Sequence, residues 1–288
     1  MRINRSKSQM KAVFSDHGIP CAAGRHVSSK EELRLFARRQ GFPLIVKPDV
    51  GVGSGGAFRL DDPESLEAVR PESLRDAVVE ELLEGTLLSF DGLTNQLGEV
   101  VFCTSHVFSS GIMEVVAKRG PMHYYSLRDI PTDLESLGRK IVSAFAIRGR
   151  FFHIELFRGE DESLRVLELN VRPPGGFTTD MFNYAADIDV YRLWAEVVSG
   201  RPVAARAVEL KYHVAHAARR EGRHYVVPHH SLLKKLGPRL LMHQEIPPAL
   251  SGAMGDYVYL IRSPDLRKLR SSIAEIEREG GATNDARA

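Results

Sequence analysis

Two carboxylates, an amide and a guanidinium lie close together in two apolar runs near the middle of the chain. Glu155 sits within Phe151-Phe152-His153-Ile154-Glu155-Leu156-Phe157, and Glu168, Asn170 and Arg172 within Val166-Leu167-Glu168-Leu169-Asn170-Val171-Arg172. Alternation with a period of two puts Glu168, Asn170 and Arg172 on one face of a strand and Leu167, Leu169 and Val171 on the other. The polar stretch 158–163 reads as a hairpin loop, which sets Glu155 across the ladder from Glu168. Side-by-side carboxylates repel and lose solvation unless a cation lies between them. Two Glu carboxylates and an Asn carbonyl are hard oxygen donors suited to Mg²⁺ or Mn²⁺, whose other positions stay with phosphate oxygens and water. On these residues alone a second arrangement stays open, a salt-bridged hairpin in which Arg172 or Arg165 neutralises the acids.

A second group with phosphate chemistry is the run Gly51-Val52-Gly53-Ser54-Gly55-Gly56 behind Lys47. It satisfies GxGxxG after a strand, but a dinucleotide loop must open a helix, and Ala57-Phe58-Arg59-Leu60 alternates like a strand before Asp61-Asp62-Pro63 breaks it. A P-loop is excluded too, because its lysine follows the glycines and no GK[ST] triplet exists here. What remains is a β-hairpin whose tip, Gly53, Ser54, Gly55 and Gly56, offers backbone N–H groups to phosphate oxygens, with Lys47 reaching the same oxygens as a point charge. A flexible surface hairpin is the alternative reading of the loop by itself.

The elements that must position these groups are legible as patterns. Ser6 caps a helix through Met10, Val13 and Phe14, with Gln9 closing the box, and Gly18-Ile19-Pro20 ends it. Ser29 caps a second helix with Leu33, Phe36 and Ala37 inward, and the strand Leu44-Ile45-Val46-Lys47 follows. Asp61-Asp62-Pro63 turns into a short helix, and 78–85 reads as a strand ending at Gly85. Thr132 caps an amphipathic helix carrying Leu137, Ile141, Val142 and Phe145. A helix over 190–198 turns Leu193 and Trp194 inward, and Ser263-Pro264-Asp265 starts the last helix with Pro at its first position. The divisions expected are 1–85, a small subdomain with the glycine loop; 86–203, a large subdomain with the metal site; 204–280, a trailing α+β module; and 281–288, a disordered tail.

With 288 residues, 43% hydrophobic content and a net charge of +2, the chain has the composition of a soluble globular protein. Lys and Arg are dispersed, so nucleic acid is not expected as a partner, and no run reaches membrane-span length. A cytoplasmic location follows by default. Cys21 and Cys103 lack CxxC spacing and are read as reduced.

Taken in order, Lys7, Lys47 with its glycines, Glu80-Glu81-Leu82-Leu83-Glu84-Gly85, and Glu155 with Glu168-Leu169-Asn170-Val171-Arg172 resemble the ATP-grasp superfamily. The likeness is to its carboxylate-amine ligases, which include D-alanine ligase-like and L-amino acid ligase-like enzymes. The resemblance implies an α+β, ATP-grasp fold, two α+β subdomains clasping ATP, plus a small C-terminal α+β module. It implies that Lys7 and Lys47 bind the α- and β-phosphates, that the backbone of Glu80, Glu81, Leu82 and Leu83 reads the adenine edge, and that Glu84 reaches the ribose. It further implies that Glu155, Glu168 and Asn170 hold Mg²⁺ and that Arg172, with Lys47, stabilises the transferring phosphoryl group. The partners implied are ATP, a small-molecule carboxylate such as an amino acid, and an amine acceptor.

Two departures qualify the resemblance. Thr86-Leu87-Leu88 are neutral where relatives carry an acid, and the chain begins almost at the Lys7 helix, where relatives have a further α/β domain of about a hundred residues. A dimer mate or partner supplying that part of the acceptor pocket, a pocket built differently, and a fragment are all compatible readings. Rival functions are a non-catalytic ATP-binding module and a carboxylase-type enzyme making carboxyphosphate. Among weaker signals, Lys118-Arg119 and His123 could meet a substrate carboxylate or form a solvated basic loop. His213 and His216 fall on opposite faces of a strand, which argues against zinc. His229-His230 reads as a surface turn, and Asp180, Asn183 and Asp187 as capping and turn residues.

Overall fold

The structure, a computed structural model, describes residues 6–51, 56–109, 120, 122–205 and 208–280. Along the chain run α1 (Lys7–Asp16), β1 (Gly24–Val27), α2 (Lys30–Gln40), β2 (Leu44–Pro48), β3 (Phe58–Leu60), α3 (Pro63–Glu67), β4 (Ala77–Glu81), β5 (Thr86–Thr94) and β6 (Val100–Phe108). Then follow β7 (Met122–Ser126), α4 (Thr132–Ala144), β8 (Phe151–Arg158), β9 (Leu164–Asn170), α5 (Thr178–Ala186) and α6 (Val190–Val198). The last elements are β10 (His213–Arg219), α7 (His229–Leu236), β11 (Leu240–Glu245), α8 (Pro248–Met254), β12 (Tyr257–Ser263) and α9 (Leu266–Glu277). They fall into two compact units: Met1–Cys103 with Pro131–Pro173 and Val197–Ala205, and Thr104–Ile130 with Pro174–Glu196 and Arg206–Ala288.

The first unit contains a small antiparallel sheet in the order β1-β4-β2-β3. Leu44 and Val46 alternate into an apolar core with Val27, Leu33, Leu60, Leu74 and Val79, which leaves Ile45 and Lys47 on the other face. The same unit contains the order β5-β8-β9, paired antiparallel, with the start of β6 beside β5. Helix α4 lies close on β5 at Gly138, where a Cβ would stand 2.1 Å from Phe90 Cδ1, so any larger residue would push the helix off. The two sheets of this unit are tied by Val166 N–H donating to Pro20 O at 2.8 Å and by an Arg165–Glu81 ion pair.

In the second unit the order is β11-β12-β10-β7, with the end of β6 paired to β7. Every residue of β10 is buried, because both faces are covered. Ala215 and Ala217 meet Leu269, Ile273 and Ile276, while Val214 packs in a second cluster with Met181 and Ala185.

Several local expectations change. The strand expected over 78–85 stops at Glu81, and the residues to Gly85 form a link in which Gly85 adopts φ +124 and a Cβ would stand 2.1 Å from Arg158 O. Helix α4 starts at Thr132 with Pro131 at the cap and no side-chain cap bond. Asp265, not Ser263, caps α9 by accepting from the Arg267 and Lys268 amides, so Pro264 precedes the helix. On α6 the buried positions are Val190 and Val197, and Trp194, expected inward, is 41% exposed. His229-His230 open α7 instead of forming a turn. Asn183 behaves as read, its Oδ1 accepting the Val190 amide at 2.7 Å, and Asp187 ends α5 in the left-handed region. Arg119, Lys118 and the tail 281–288 lie outside the described residues.

Candidate active site

Polar residues on one face of β5, β8 and β9 form two rows across the strands. In register, Asp91 faces His153, which faces Asn170; next to them Ser89 faces Glu155, which faces Glu168. Glu155 and Glu168 are thus direct cross-strand neighbours, a like-charge pair that destabilises a sheet unless it is compensated. A bulge follows immediately, between Glu155 and Leu156. It lets Val166 and Leu169 both be fully buried although they are three apart, while Glu168 stays on the polar face.

Compensation does not come from the arginines. Arg165 pairs with Glu81, and Arg172 lies beyond the end of β9, exposed, with Nη1 donating to Pro173 O at 2.9 Å. The expectation that Arg172 shares the strand face with Glu168 and Asn170 is therefore corrected, because the ladder ends at Asn170. The salt-bridged hairpin does not form. Instead His153, 8% exposed, bridges two acids: Nδ1 is 2.5 Å from Asp91 Oδ1 and Nε2 is 3.1 Å from Glu155 Oε1. Ser89 Oγ donates in turn to Asp91 Oδ2. Burial pushes the imidazole toward its neutral form, but the Asp91 charge and the hydrogen bonds to Asp91 and Glu155 overcome it and hold His153 up at about 10. Burial likewise raises Glu155, yet the bond and charge of His153 and the charge of Lys47 bring it below the usual range. Glu168 Oε1 accepts from Asn170 Nδ2 at 2.8 Å, and Lys7 Nζ lies 3.8 Å from its Oε2.

Lysines approach this face from the small sheet and α1. Asp49, at the end of β2, fixes the start of α1: its Oδ2 accepts from Ser6 Oγ at 2.6 Å, its Oδ1 from Ser8 N at 2.7 Å, and its carbonyl from Lys7 N at 3.0 Å. Burial raises the Asp49 carboxyl, but the Ser6 and Ser8 bonds bring it below its ordinary value. That clamp sets Lys7, 7% exposed, with Nζ 3.4 Å from Gly51 O at the base of the glycine run. Ser6 caps α1 as read, accepting from Gln9 N at 3.2 Å. Lys47 Nζ lies 2.6 Å from Glu80 Oε2, and Lys11 Nζ lies 3.0 Å from Glu80 Oε1. Sequence reading used Glu80 for its backbone only; its carboxylate, 2% exposed, is the shared anion of two lysines.

The linker after β4 is partly committed. Glu81 N–H donates to Ala23 O at 2.9 Å and Leu82 N–H to Pro43 O at 3.3 Å, while Leu83 is buried and Glu84 exposed. Of the glycine run, Gly53, Ser54 and Gly55 lie outside the described residues, and Gly56 has φ +77. Among the described residues no cluster of three His, Cys, Asp or Glu forms a metal site. Glu155, Glu168 and Asn170 nonetheless fit a hard cation, since two carboxylates, one held anionic by its surroundings, and an amide share one sheet face.

Asp91, His153, Ser89, Lys11 and Asp49 were missed by the sequence reading. The period-two spacing of Ser89 with Asp91 and of His153 with Glu155 was available as a signal. His123, by contrast, points its Nδ1 to both Glu277 oxygens at 2.9 Å. Burial pushes the Cys103 thiol up to about 11, so it is protonated and not a nucleophile at neutral pH. No helix among the described residues is long and apolar enough to cross a membrane.

Comparison with known proteins gives this geometry a family. An ATP-grasp domain model matches residues 40–180. The L-arginine-specific L-amino acid ligase of Bacillus subtilis is 26% identical over 208 residues, 65% of this chain and 50% of that protein, so the chain spans half the length of that relative. The crystal structure of an L-amino acid ligase from Bacillus licheniformis superposes with TM-score 0.70 at 16% identity, covering 96% of this chain and 71% of that one. That of carboxyaminoimidazole ribonucleotide synthase from Aspergillus clavatus, complexed with ATP, gives 0.72 at 18% identity, covering 96% and 72%. The chain thus carries an ATP-grasp domain, matched over residues 40–180, and is similar in sequence and in fold to L-amino acid ligases.

Proposed function

We propose that the protein is an ATP-dependent carboxylate-amine ligase working through an acyl phosphate. The observation that carries this reading is the direct pairing of Glu155 with Glu168 on a face that Lys7 and Lys47 reach. Lys47 and Lys7 bind phosphate oxygens, and Lys47 exchanges part of its pairing with Glu80 for them. The Gly53, Ser54, Gly55 and Gly56 amides add donors over the phosphates. Because the Glu81 and Leu82 amides are engaged, the Leu83 amide is the donor offered to the adenine edge, with Glu80 and Glu81 contributing carbonyls and Glu84 lying toward the ribose. Glu155, Glu168 and Asn170 would hold Mg²⁺ or Mn²⁺, which when bound would neutralise phosphate charge.

A carboxylate oxygen of the first substrate attacks the γ-phosphorus, the bond to the β,γ-bridging oxygen breaks, and ADP departs. Arg172, exposed and with its Nη1 on the Pro173 carbonyl, turns to the transferring phosphoryl group. An amine nitrogen then attacks the acyl carbon, the C–O bond to phosphate breaks, and the amine proton leaves with phosphate or solvent. Sequence similarity to an L-arginine-specific ligase supports an amino acid as the carboxylate.

The test is a screen of amino acid pairs for release of ADP and phosphate with Mg-ATP, repeated with Glu168→Gln. Pair-dependent release that the substitution abolishes is the expected outcome. Release that requires bicarbonate and no amine would replace this reading with a carboxylase.

A further inference from the structure

Glu155 does not stand on the sheet as an independent carboxylate. Its Oε1 is engaged by His153 Nε2 at 3.1 Å, His153 Nδ1 is engaged by Asp91 at 2.5 Å, and Asp91 is engaged by Ser89. All four residues lie on neighbouring strands in register, and Ser89 and Asp91 are fully buried. The other oxygen, Oε2, accepts no hydrogen bond among the described residues, and the carboxylate is partly open, with 20% side-chain exposure. The chain of bonds thus does two things to one side chain: it fixes the rotamer, and it draws one oxygen's charge toward a buried ring. Among the described residues no comparable device acts on Glu168, whose neighbours are Asn170 on Oε1 and Lys7 near Oε2.

Resting on the metal-site reading above, we propose that Ser89, Asp91 and His153 are positioning residues that make Glu155 a one-oxygen ligand and so set the site's preference for Mg²⁺ over Ca²⁺. Mg²⁺ is small, requires near-octahedral geometry and keeps waters, and single carboxylate oxygens suit it. Ca²⁺ takes six to eight oxygens and gains from carboxylates that offer both. A Glu155 held by its Oε1 serves the first ion and handicaps the second. Partners of metal ligands of this kind typically change metal affinity by roughly 10- to 100-fold when removed.

The experiment titrates Mg²⁺, and separately Ca²⁺, by calorimetry into the full chain saturated with ADP, for the wild type, His153→Phe, His153→Gln and Glu168→Gln. The expected result is that His153→Phe weakens Mg²⁺ by roughly 10- to 100-fold and leaves Ca²⁺ within about threefold. His153→Gln retains a donor amide near the Nε2 position and keeps most of the preference. If His153→Phe does not fold, Asp91→Asn takes its place: it removes the anion that orients the ring and is expected to lower the Mg²⁺ to Ca²⁺ ratio in the same direction. An unchanged Mg²⁺ to Ca²⁺ ratio in His153→Phe, or in Asp91→Asn where that stands in for it, overturns the inference, because a structural role lowers the unfolding midpoint without moving that ratio. Glu168→Gln separates the two levels of failure. If it leaves Mg²⁺ binding intact, the metal-site reading itself is wrong; if it abolishes binding while the His153 variants keep the ratio, only the brace is wrong.

Discussion

His153 on β8 and His216 on β10 are both buried imidazoles on a sheet face, one in each compact unit, and they carry opposite charge states. For each the largest influence is burial, which favours the neutral ring. His153 lies between Asp91 and Glu155 and is held up at about 10. Among the described residues His216 has no acid beside it and no hydrogen-bond partner for its buried Nδ1: its ring stacks 4.9 Å from Tyr124 and 6.1 Å from Phe177, and its Nε2 meets Met254 O at 3.1 Å. It is pushed down to about 4. The difference shows that depth does not decide charge on these sheets; the presence of a carboxylate in the neighbouring register position does. The first histidine belongs to a charged grid on the sheet face of the candidate site, and the second is a flat filler among aromatic rings.

The sharpest division between the two regions should be in turnover. Glu168→Gln is expected to lower ATP-dependent phosphate release on the order of 10²- to 10³-fold, the scale of losing a charge-stabilising group in a polar site. His216→Phe should leave release within about twofold, as for a substitution away from the chemistry. Steady-state phosphate assays on both variants decide this, and a comparable loss in His216→Phe would erase the distinction.

The next largest effect is on stability. His153→Phe strips Asp91 of its cationic partner inside the sheet, and breaking one side of a buried pair costs about 3–5 kcal/mol. Urea unfolding should show it. Asp91→Asn with His153→Phe should recover part of the loss, because the stranded charge is then gone. If the double variant is no more stable than the single, the pair is not the source of the cost.

The fold was readable from residues wherever a pattern had one physical solution. Ser6 and Ser29 cap helices as their types and spacing dictate, Asp61-Asp62-Pro63 leads into a short helix, and the apolar run 44–47 forms β2. The pairing of Glu155 with Glu168 was legible for the same reason. Arg172 was misplaced because a period of two cannot say where a strand ends, and the ladder stops at Asn170. Trp194 was misplaced because size suggested burial while the helix buries Val190 and Val197. The Asp91–His153–Glu155 chain needed the register between β5 and β8, strands far apart in sequence, and nothing local fixes that register. Glu80 shows the same limit, since its two lysines come from α1 and β2.

The smallest effect tests the comparison most directly, because it isolates the sign of each charge. At pH 7 the His216→Phe change should alter stability by no more than about 1 kcal/mol, since it exchanges one flat neutral ring for another. The folded-state value of His216 is depressed to about 4 from 6.5, so between those values the unfolded chain binds a proton that the folded chain refuses. Stability of the wild type therefore falls as pH drops through that window, and the Phe variant, lacking the group, should gain steadily relative to it. His153 works the other way: its raised value means that its contribution is complete below 6.5 and is lost as pH rises through about 10. Chemical denaturation of metal-free wild type and His216→Phe from pH 4 to 7 should give curves that diverge toward acid. Parallel curves would mean that His216 titrates normally and that the two regions treat a buried imidazole alike.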